Sequence, residues 1–369
     1  MKRIISLILA VLTAALVLAG CRSTTQKPSS DTAAQQDTKP AETRVYPTLS
    51  DYKPSDPSYS GPINVSLESE SYAIMTAPAY DKTAAAALNS KMPAVRELVD
   101  SVGDDSSLTV FGSGKPSTEA VKALETEINK LSADGHQVSL LMVDVNSNTG
   151  VSYHAGYSMA SQSCIKAPYC GALIESNPDA LKDNGEYLRE AIEFSNNEAY
   201  SMLRYIYGSQ ALTDWCTEVG VDTGFAEPEY PHTYSAKDMF KLWTRLYCFL
   251  NGDKDQQNFA AYYADSACSA AKKQLGDRCP VQTKAGWECG IGEALNYDPQ
   301  SEIPYEYTDG DPENGECGIN DSGIVYTDKG PYLFVIYTNH PFGVFMDYTT
   351  PNPLYDITEA LYQLQQSIQ

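Results

Sequence analysis

The chain has 369 residues, a formal net charge of −22 and a sequence isoelectric point near 4.5. An acidic protein of this kind repels polyanions, which argues against nucleic acid as a partner and against electrostatic adhesion to an anionic bilayer. No internal repeat is visible, and about 250 residues remain for one sizeable domain once the N-terminal segments are set aside.

Residues 1–20 have the layout of a secretory signal peptide. A short basic start precedes an apolar run from 4 to 18, which is shorter than a membrane-spanning helix requires. The sequence Leu-Ala-Gly at 18–20 then precedes Cys21, an arrangement that looks like a lipobox. We predict that Cys21 is lipidated and tethers the exported protein to the outer face of the cytoplasmic membrane; an ordinary signal peptide with an accidental cysteine is the alternative.

The next two segments differ in composition. Residues 21–61 are rich in Ser, Thr, Gln, Asp and Pro and contain few aliphatic residues, which predicts a disordered stalk. Residues 62–116 carry no motif, but 82–102 contain a helix-like run of apolar residues. We interpret 62–116 as an N-terminal extension of unknown role that packs on the main domain, 117–369.

The main domain opens with a helix and a hairpin. Ser117 is a candidate N-cap for a helix that runs to residue 131. A Val- and Leu-rich strand follows at 137–145, then a turn at 146–150 and a second strand at 151–154. This hairpin delivers the chain to the first chemically suggestive motif.

Ser163 and Lys166 stand one helical turn apart in a Ser-x-x-Lys motif. On a helix that spacing places both side chains on one face, so a deprotonated lysine could activate the hydroxyl. Ser163 is therefore our candidate nucleophile. Ser269 and Lys272 form a second Ser-x-x-Lys, but a small-residue segment without a preceding strand carries them.

Two further motifs follow in order. Ser195 and Asn197 form Ser-x-Asn after an apolar-periodic helix, and Lys284 and Gly286 form Lys-x-Gly in a predicted strand, 281–287. Two more strands and a C-terminal helix are predicted at 322–326, 332–337 and 352–368.

The ordered triple of motifs resembles the superfamily of serine β-lactamases and penicillin-binding proteins, over residues 118–369. The resemblance implies an α+β, β-lactamase/transpeptidase-like fold. We expect a five-stranded antiparallel sheet flanked by helices, with a reduced all-helical subdomain that carries Ser195. We also expect the N-terminal hairpin to neighbour the strand that contains Lys284.

The resemblance also implies roles in acyl transfer. Ser163 would attack the acyl donor, and Lys166, desolvated and close to Lys284, would have its pKa lowered enough to act as the base. Ser195 would relay a proton to the leaving nitrogen, and Asn197 would hold Lys166 and the substrate amide. Helix capping is the alternative role for Ser195 and Asn197.

Substrate binding would fall to the Lys-x-Gly strand. Lys284 would attract a substrate carboxylate, Gly286 would let the substrate backbone approach, and the backbone N–H groups of Ser163 and Trp287 would form the oxyanion hole. The usual Thr or Ser of the motif is Ala285 here. Loss of that hydrogen bond is worth about a tenfold to hundredfold weakening, so penicillin recognition should be poor.

The water-activating loop of class A β-lactamases has a counterpart in Phe225–Pro231. Its glutamate would be Glu227, but position 231 is Pro where those enzymes have Asn, and the loop is short. Glu227 is therefore either a catalytic base for deacylation or a surface acid beside a turn.

The sequence supports three functional hypotheses. The first is an exported, lipid-anchored serine hydrolase that forms an acyl-serine with β-lactams or D-Ala-D-Ala-type peptides and acts as a monomer. The second is a non-catalytic penicillin-binding-like module that holds or senses cell-wall peptides. The third is an α/β-hydrolase with Ser158 in an incomplete nucleophile elbow, Gly156–Ala160.

Cysteine usage does not separate these hypotheses. Eight cysteines remain besides Cys21, which allows 105 pairings, and an anaerobic habitat would leave them as thiols. The sequence contains no C-x-x-C pair and only four scattered histidines, so we predict neither a metal site nor a cofactor.

Overall fold

The computed structural model describes residues 82–226, 233–252, 259–288, 318–340 and 352–369. Cys21, the predicted stalk and Glu227 lie outside these residues.

Helices and strands alternate irregularly along the chain. The helices are α1 (Lys82–Asn89), α2 (Met92–Asp100), α3 (Thr118–Ala133), α4 (Lys166–Ser176), α5 (Asp179–Glu193), α6 (Asn197–Tyr207), α7 (Gln210–Val219), α8 (Ala236–Leu250), α9 (Ala270–Leu275) and α10 (Leu354–Ser367). The strands are β1 (Thr109–Gly112), β2 (Val138–Asp144), β3 (Thr149–Tyr153), β4 (Ser158–Ala160), β5 (Thr233–Ser235), β6 (Val281–Glu288), β7 (Gly318–Thr327) and β8 (Gly330–Thr338). Among the described residues, none of the helices has both the length and the apolar character needed to cross a membrane.

The main sheet is antiparallel throughout and has the order β1-β3-β2-β8-β7-β6. The predicted α+β class with helices on an antiparallel sheet is confirmed. The predicted strand number is corrected, because the described part of the sheet has six strands. The sixth is β1, four residues in a turn-rich stretch without a motif, which pairs with β3 from Thr109↔Ser152 to Gly112↔Thr149.

The prediction that the N-terminal hairpin lies next to the strand of Lys284 is wrong. The hairpin is β2–β3 and Lys284 lies in β6, but β8 and β7 stand between them. The reason is that β8 pairs with β2 along seven residues, from Val138↔Thr338 to Asp144↔Tyr332, so the C-terminal hairpin fills the centre of the sheet.

The sheet is covered on both faces, which explains why every residue of β2 is buried. Leu141 and Val143 face one hydrophobic cluster, which is shared with helices α4 to α8. Leu140 and Met142 face the other cluster, which is shared with α3, α9 and α10. Because side chains alternate between the two faces of β2, this strand contributes to both clusters and links the two helical layers.

The described residues before Ser117, 82–116, pack on this domain. Buried apolar residues of α2 belong to the same cluster as α8, and polar contacts join the same two helices. Lys241 Nζ donates to Asp100 Oδ1 at 2.9 Å, and Arg96 Nη1 donates to Thr244 Oγ1 at 3.1 Å. The predicted cap of α3 is confirmed, because Ser117 Oγ accepts a hydrogen bond from Ala120 N at 3.2 Å.

Candidate active site

The nucleophile candidate lies on a tight turn between β4 and α4. Ser163 belongs to a 3-10 helix, Gln162–Ile165, and Lys166 is the first residue of α4. Gln162, just before Ser163, has a φ of +50°, a region that non-glycine residues rarely occupy. Backbone strain of this kind is found mainly at functional sites, where the surrounding residues hold the unfavourable conformation in place.

Gly286 provides the space for this turn. A Cβ at position 286 would lie 2.7 Å from Ser163 N and 2.8 Å from Ser161 O, well inside van der Waals contact. The glycine of the Lys-x-Gly motif thus lets β6 touch the backbone of the nucleophile turn. This requirement exists before any substrate is present, which adds a structural reason for glycine to the predicted approach of a substrate.

Lys166 is buried and bonded to the turn between α5 and α6. Its Nζ donates to the backbone oxygen of Ser195 at 2.6 Å and to Asn197 Oδ1 at 2.5 Å. Burial, reinforced by the charge of Lys284, holds the pKa of Lys166 well below its usual value. A neutral amine has two N–H donors and one lone pair, so these two bonds leave the lone pair available to accept a proton.

Ser195 stands between the two motif lysines. Its Oγ lies 2.9 Å from Lys284 Nζ and 3.5 Å from Lys166 Nζ, and all three side chains are buried. Ser195 adopts a φ of +60°, and Asn196 caps α6 immediately afterwards by accepting from the backbone N of Glu198 and Ala199. Because Asn196 is the N-cap, Ser195 lies outside the helix, and its O and Oγ face the lysines.

The pKa values of both lysines are lowered, but the surrounding groups differ. Burial lowers the pKa of Lys284 to about 8, while nearby thiols and the Asp321 carboxylate oppose the shift. Lys284 is therefore still largely protonated near pH 7, and the lowered pKa of Lys166 favours its neutral form. Two like groups whose environments push their pKa values apart can serve as a base and a cationic donor in one site.

The backbone geometry is compatible with the predicted oxyanion hole. Ala285 N donates to Ser266 Oγ at 3.3 Å, so its N–H points away from β7. Alternate residues of a strand direct their N–H groups to the same edge, so the N–H of Trp287 points to that edge as well. Ser163 N lies against the intervening Gly286.

The two competing serines occupy other surroundings. Ser269 caps α9 by accepting from Lys272 N at 3.1 Å, and Lys272 Nζ pairs with Asp265 at 2.6 Å. Ser158 lies exposed in β4, which pairs antiparallel with β5. The elbow hypothesis required a parallel α/β sheet, and the antiparallel sheet removes its basis.

Three residues near the site had no motif to identify them. Cys164 Sγ donates to Lys284 O at 3.2 Å, and burial raises the pKa of this thiol to about 12. Ser266 bonds Ala285, and Asp321 lies directly opposite Ala285 in β7. The only available signal was the polar run at 320–322, which interrupts an otherwise apolar strand.

The structure brings Ser163, Lys166, Ser195, Asn197, Lys284, Gly286 and Trp287 together around one edge of the sheet. Cys21 and Glu227 lie outside the described residues, so their predicted roles stay predictions. Among the described cysteines, Cys164, Cys170, Cys216, Cys248 and Cys279 are free thiols.

A family sequence model matches about half of the chain. Residues 183–365 match the sequence model of the beta-lactamase enzyme family, a stretch that includes Ser195, Asn197, Lys284 and Gly286. This match supports the predicted resemblance to the superfamily of serine β-lactamases and penicillin-binding proteins. The search of curated proteins gave no match.

Three solved β-lactamase structures match this chain at low sequence identity. The TLA-1 extended-spectrum β-lactamase is 12% identical, with a TM-score of 0.49, over 67% of this chain and 99% of that chain. A β-lactamase from Sphaerobacter thermophilus is 14% identical, with a TM-score of 0.49, over 66% and 97%. A β-lactamase from Chitinophaga pinensis is 14% identical, with a TM-score of 0.48, over 65% and 98%.

Proposed function

We propose that this protein is a serine hydrolase that forms an acyl-serine intermediate at Ser163 with β-lactams or D-Ala-D-Ala-type peptides. The observation that carries the proposal is the position of Ser195 Oγ, 3.5 Å from Lys166 Nζ and 2.9 Å from Lys284 Nζ. A purely structural serine does not require two buried lysines, whose desolvation costs stability.

The first half of the reaction needs a base and a stabilised oxyanion. Ser163 Oγ bonds to the acyl carbon while its proton moves to the lone pair of Lys166. The negative charge that develops on the carbonyl oxygen is stabilised by the backbone N–H groups of Ser163 and Trp287. The site therefore supplies both the nucleophile and the groups that stabilise the tetrahedral intermediate.

The second half needs a proton at the leaving nitrogen. Ser195 can give its hydroxyl proton to that nitrogen and recover one from Lys166, 3.5 Å away. Lys284, which donates to Ser195 Oγ, orients the hydroxyl so that its proton faces the leaving group. The C–N bond breaks, the acyl group stays on Ser163, and hydrolysis by water then releases the acid.

Intact-protein mass after incubation with a penicillin tests the proposal. We expect an added mass equal to one acyl group per chain, located on the peptide that contains Ser163, and no adduct in Ser163→Ala. Ser269→Ala is the matched control and should still acylate, since Ser269 caps α9 and donates a hydrogen bond to Asp321. An adduct mapped to Ser269 or Ser158 contradicts the assignment.

A non-catalytic binding module is the second candidate. No hydrogen bond joins Ser163 to Lys166 among the described residues, and the bonds of Lys166 Nζ go to Ser195 and Asn197. This arrangement would also suit a site that holds a peptide without reacting. Reversible binding of a stem peptide, with no adduct from any acyl donor, would favour the module.

We further propose that the protein is exported and anchored by a lipid on Cys21, with the monomer facing the cell wall. The proposal rests on the basic start, the apolar run and Leu-Ala-Gly-Cys. Cys21→Ser should abolish labelling by a fatty-acid probe, while Ser23→Ala, two residues on, should label normally. Labelling that survives Cys21→Ser rules the anchor out.

A further inference from the structure

Tyr200 and Arg204 lie on the face of α6 that carries Asn197. They follow Asn197 by three and by seven residues, a spacing that places the three side chains on one side of the helix. Lys166 Nζ lies 5.6 Å from the centre of the Tyr200 ring. Because Lys166 is only 2% exposed, this ring is part of the cover that separates its amine from water.

Tyr169 and Arg204 hold the Tyr200 ring in place. The ring of Tyr169, one turn after Lys166 on α4, meets that of Tyr200 nearly at a right angle, with the ring centres 5.2 Å apart. The Tyr169 hydroxyl donates to Gly208 O at 3.1 Å. The guanidinium carbon of Arg204 lies 5.7 Å from the centre of the Tyr200 ring and 4.8 Å from that of Tyr169. The Tyr200 ring therefore has two basic side chains at similar distances from its centre.

Arg204 is fixed by partners beyond the two rings. Its Nη2 donates to Ser209 Oγ at 2.9 Å and to the backbone oxygen of Ala226, and its Nη1 donates to Tyr200 Oη at 3.4 Å. A guanidinium stays protonated at any pH that a folded protein meets. A permanent cation is thus anchored beside the ring that covers Lys166.

The Tyr200 ring acts on the Lys166 amine in two opposite ways. The attraction between a ring face and a cation favours the ammonium form, whereas exclusion of water favours the neutral amine. Burial is the largest cause of the lowered pKa of Lys166, so exclusion of water prevails. Arg204 weakens the attraction, because a cation already beside the ring repels a second one.

The other titratable groups around Lys166 come from several elements. Lys284, on β6, is positively charged, and its charge also lowers the pKa of Lys166. Burial raises the pKa of the Cys170 thiol and of the Tyr200 hydroxyl to about 12, and it also raises the pKa of Tyr263, which lies just before α9. These three groups stay neutral in the pH range in which an amine of lowered pKa loses its proton.

Two carboxyl groups on the neighbouring helices titrate closer to neutral pH. Burial raises the pKa of Glu190, on α5, and of Glu198, on α6, to about 7 each. A pH profile of the reaction can therefore contain their ionisation as well. The titration of Lys166 itself has to be measured beside the profile.

We propose that Tyr200 and Arg204 are positioning residues for acyl transfer: the ring covers the Lys166 amine, and the guanidinium keeps that ring from hosting an ammonium ion. This inference rests on the proposed function, in which Lys166 is the base, and it adds the groups that control the base. Neither residue belongs to the three motifs.

Tyr200→Ala tests the cover. The variant admits water beside the amine, so the acid limb of the acylation profile, measured by intact mass with a penicillin, should move up by about one pH unit or more. At a fixed pH on that limb, a rise of one unit lowers the neutral fraction of the amine about tenfold. Tyr200→Phe, which keeps the ring, should restore the limb. Tyr205→Ala, on the same helix but 86% exposed, is the matched control and should not move it.

Arg204→Gln tests the guanidinium in a chain that keeps the ring. The free ring can then attract the ammonium form, so the rate on the acid limb should fall about twofold to fivefold, the usual size of one cation–π contact. Arg204→Lys keeps a positive charge at this position and should recover most of the loss.

Carbon-13 NMR of the lysine side chains measures the same shift without a substrate. The Cε signal of Lys166 is assigned by its absence in Lys166→Ala. It should titrate at a higher pH in Tyr200→Ala and in Arg204→Gln than in the wild type. A loss of stability alone would lower the rate by one factor at every pH and leave this titration unmoved.

The outcomes separate this inference from the proposed function. If the wild type is acylated and the Lys166 titration is the same in Tyr200→Ala and Arg204→Gln as in the wild type, the inference fails while acylation of Ser163 stands. If no acyl donor modifies the wild type, the proposed function fails and the inference with it. If the acid limb and the NMR titration move up together, both stand.

Discussion

Replacing Lys166 with alanine should slow acylation of Ser163 by about 10²–10⁴-fold, the usual contribution of a general base. The reason is that Lys166 follows Ser163 by three residues, and its lowered pKa favours the neutral amine that can take the Ser163 proton. The rate of adduct formation under single-turnover conditions measures the effect. Initial binding should change little, because the base acts in the transition state.

The second Ser-x-x-Lys motif provides a matched control. Lys272 pairs with Asp265 and lies beside a capping serine, so Lys272→Ala should lower stability without changing the acylation rate. If Lys166→Ala acylates within a few-fold of the wild type and only melts earlier, Lys166 is structural.

The pH dependence of acylation should show both lysines. Lys166 must be neutral to act, and its lowered pKa makes this form available at a lower pH than for an ordinary lysine. Lys284 must keep its proton to donate to Ser195, so the rate should fall as the pH rises through about 8. The pKa shifts also affect folding: the pKa of each lysine is lower in the folded chain, so the unfolded chain binds more protons between that lowered pKa, about 8 for Lys284, and about 10.5. The stability contribution of both groups therefore increases with pH across that window.

Much of the fold could be predicted from local sequence patterns. The Ser117 cap, the β2–β3 hairpin and the C-terminal helix follow from periodicity and capping chemistry, which act within a few residues. The seven clustered site residues follow from three short motifs whose order is specific. These features need no knowledge of which distant strands pair.

The pairing of distant strands could not be predicted from the sequence in the same way. The insertion of β7 and β8 between the hairpin and β6 depends on contacts between residues about 200 apart, such as Val138 with Thr338. The partner of Gly286 is the backbone of Ser161–Ser163, which no spacing rule connects to position 286. Asp321 is likewise a site neighbour only through the register of β6 and β7.

Release of the acyl group should be at least about 100-fold slower than acylation, so a chromogenic β-lactam should give a burst of one product per chain and then a slow steady state. The groups for acylation are assembled, whereas hydrolysis also needs a positioned water. The segment that would position it is short: six residues, 227–232, separate Ala226 from Thr233, and the rings of Phe225 and Tyr234 stack with centroids 3.3 Å apart. Pro231, in place of Asn, also removes a side chain that could hold a water.

Substitution of Glu227 decides whether that segment takes part in hydrolysis. Glu227→Gln should leave the steady-state rate within about threefold of the wild type, because a carboxylate without its partner Asn is a poor water-positioning group. Glu229→Gln, in the same Glu-Pro-Glu sequence, is the control for charge alone. The burst amplitude should equal one in all three proteins, since Ser163, Lys166 and Ser195 are unchanged. Rapid multiple turnover that collapses in Glu227→Gln but not in Glu229→Gln would make Glu227 the deacylating base and this protein an efficient β-lactamase despite Pro231.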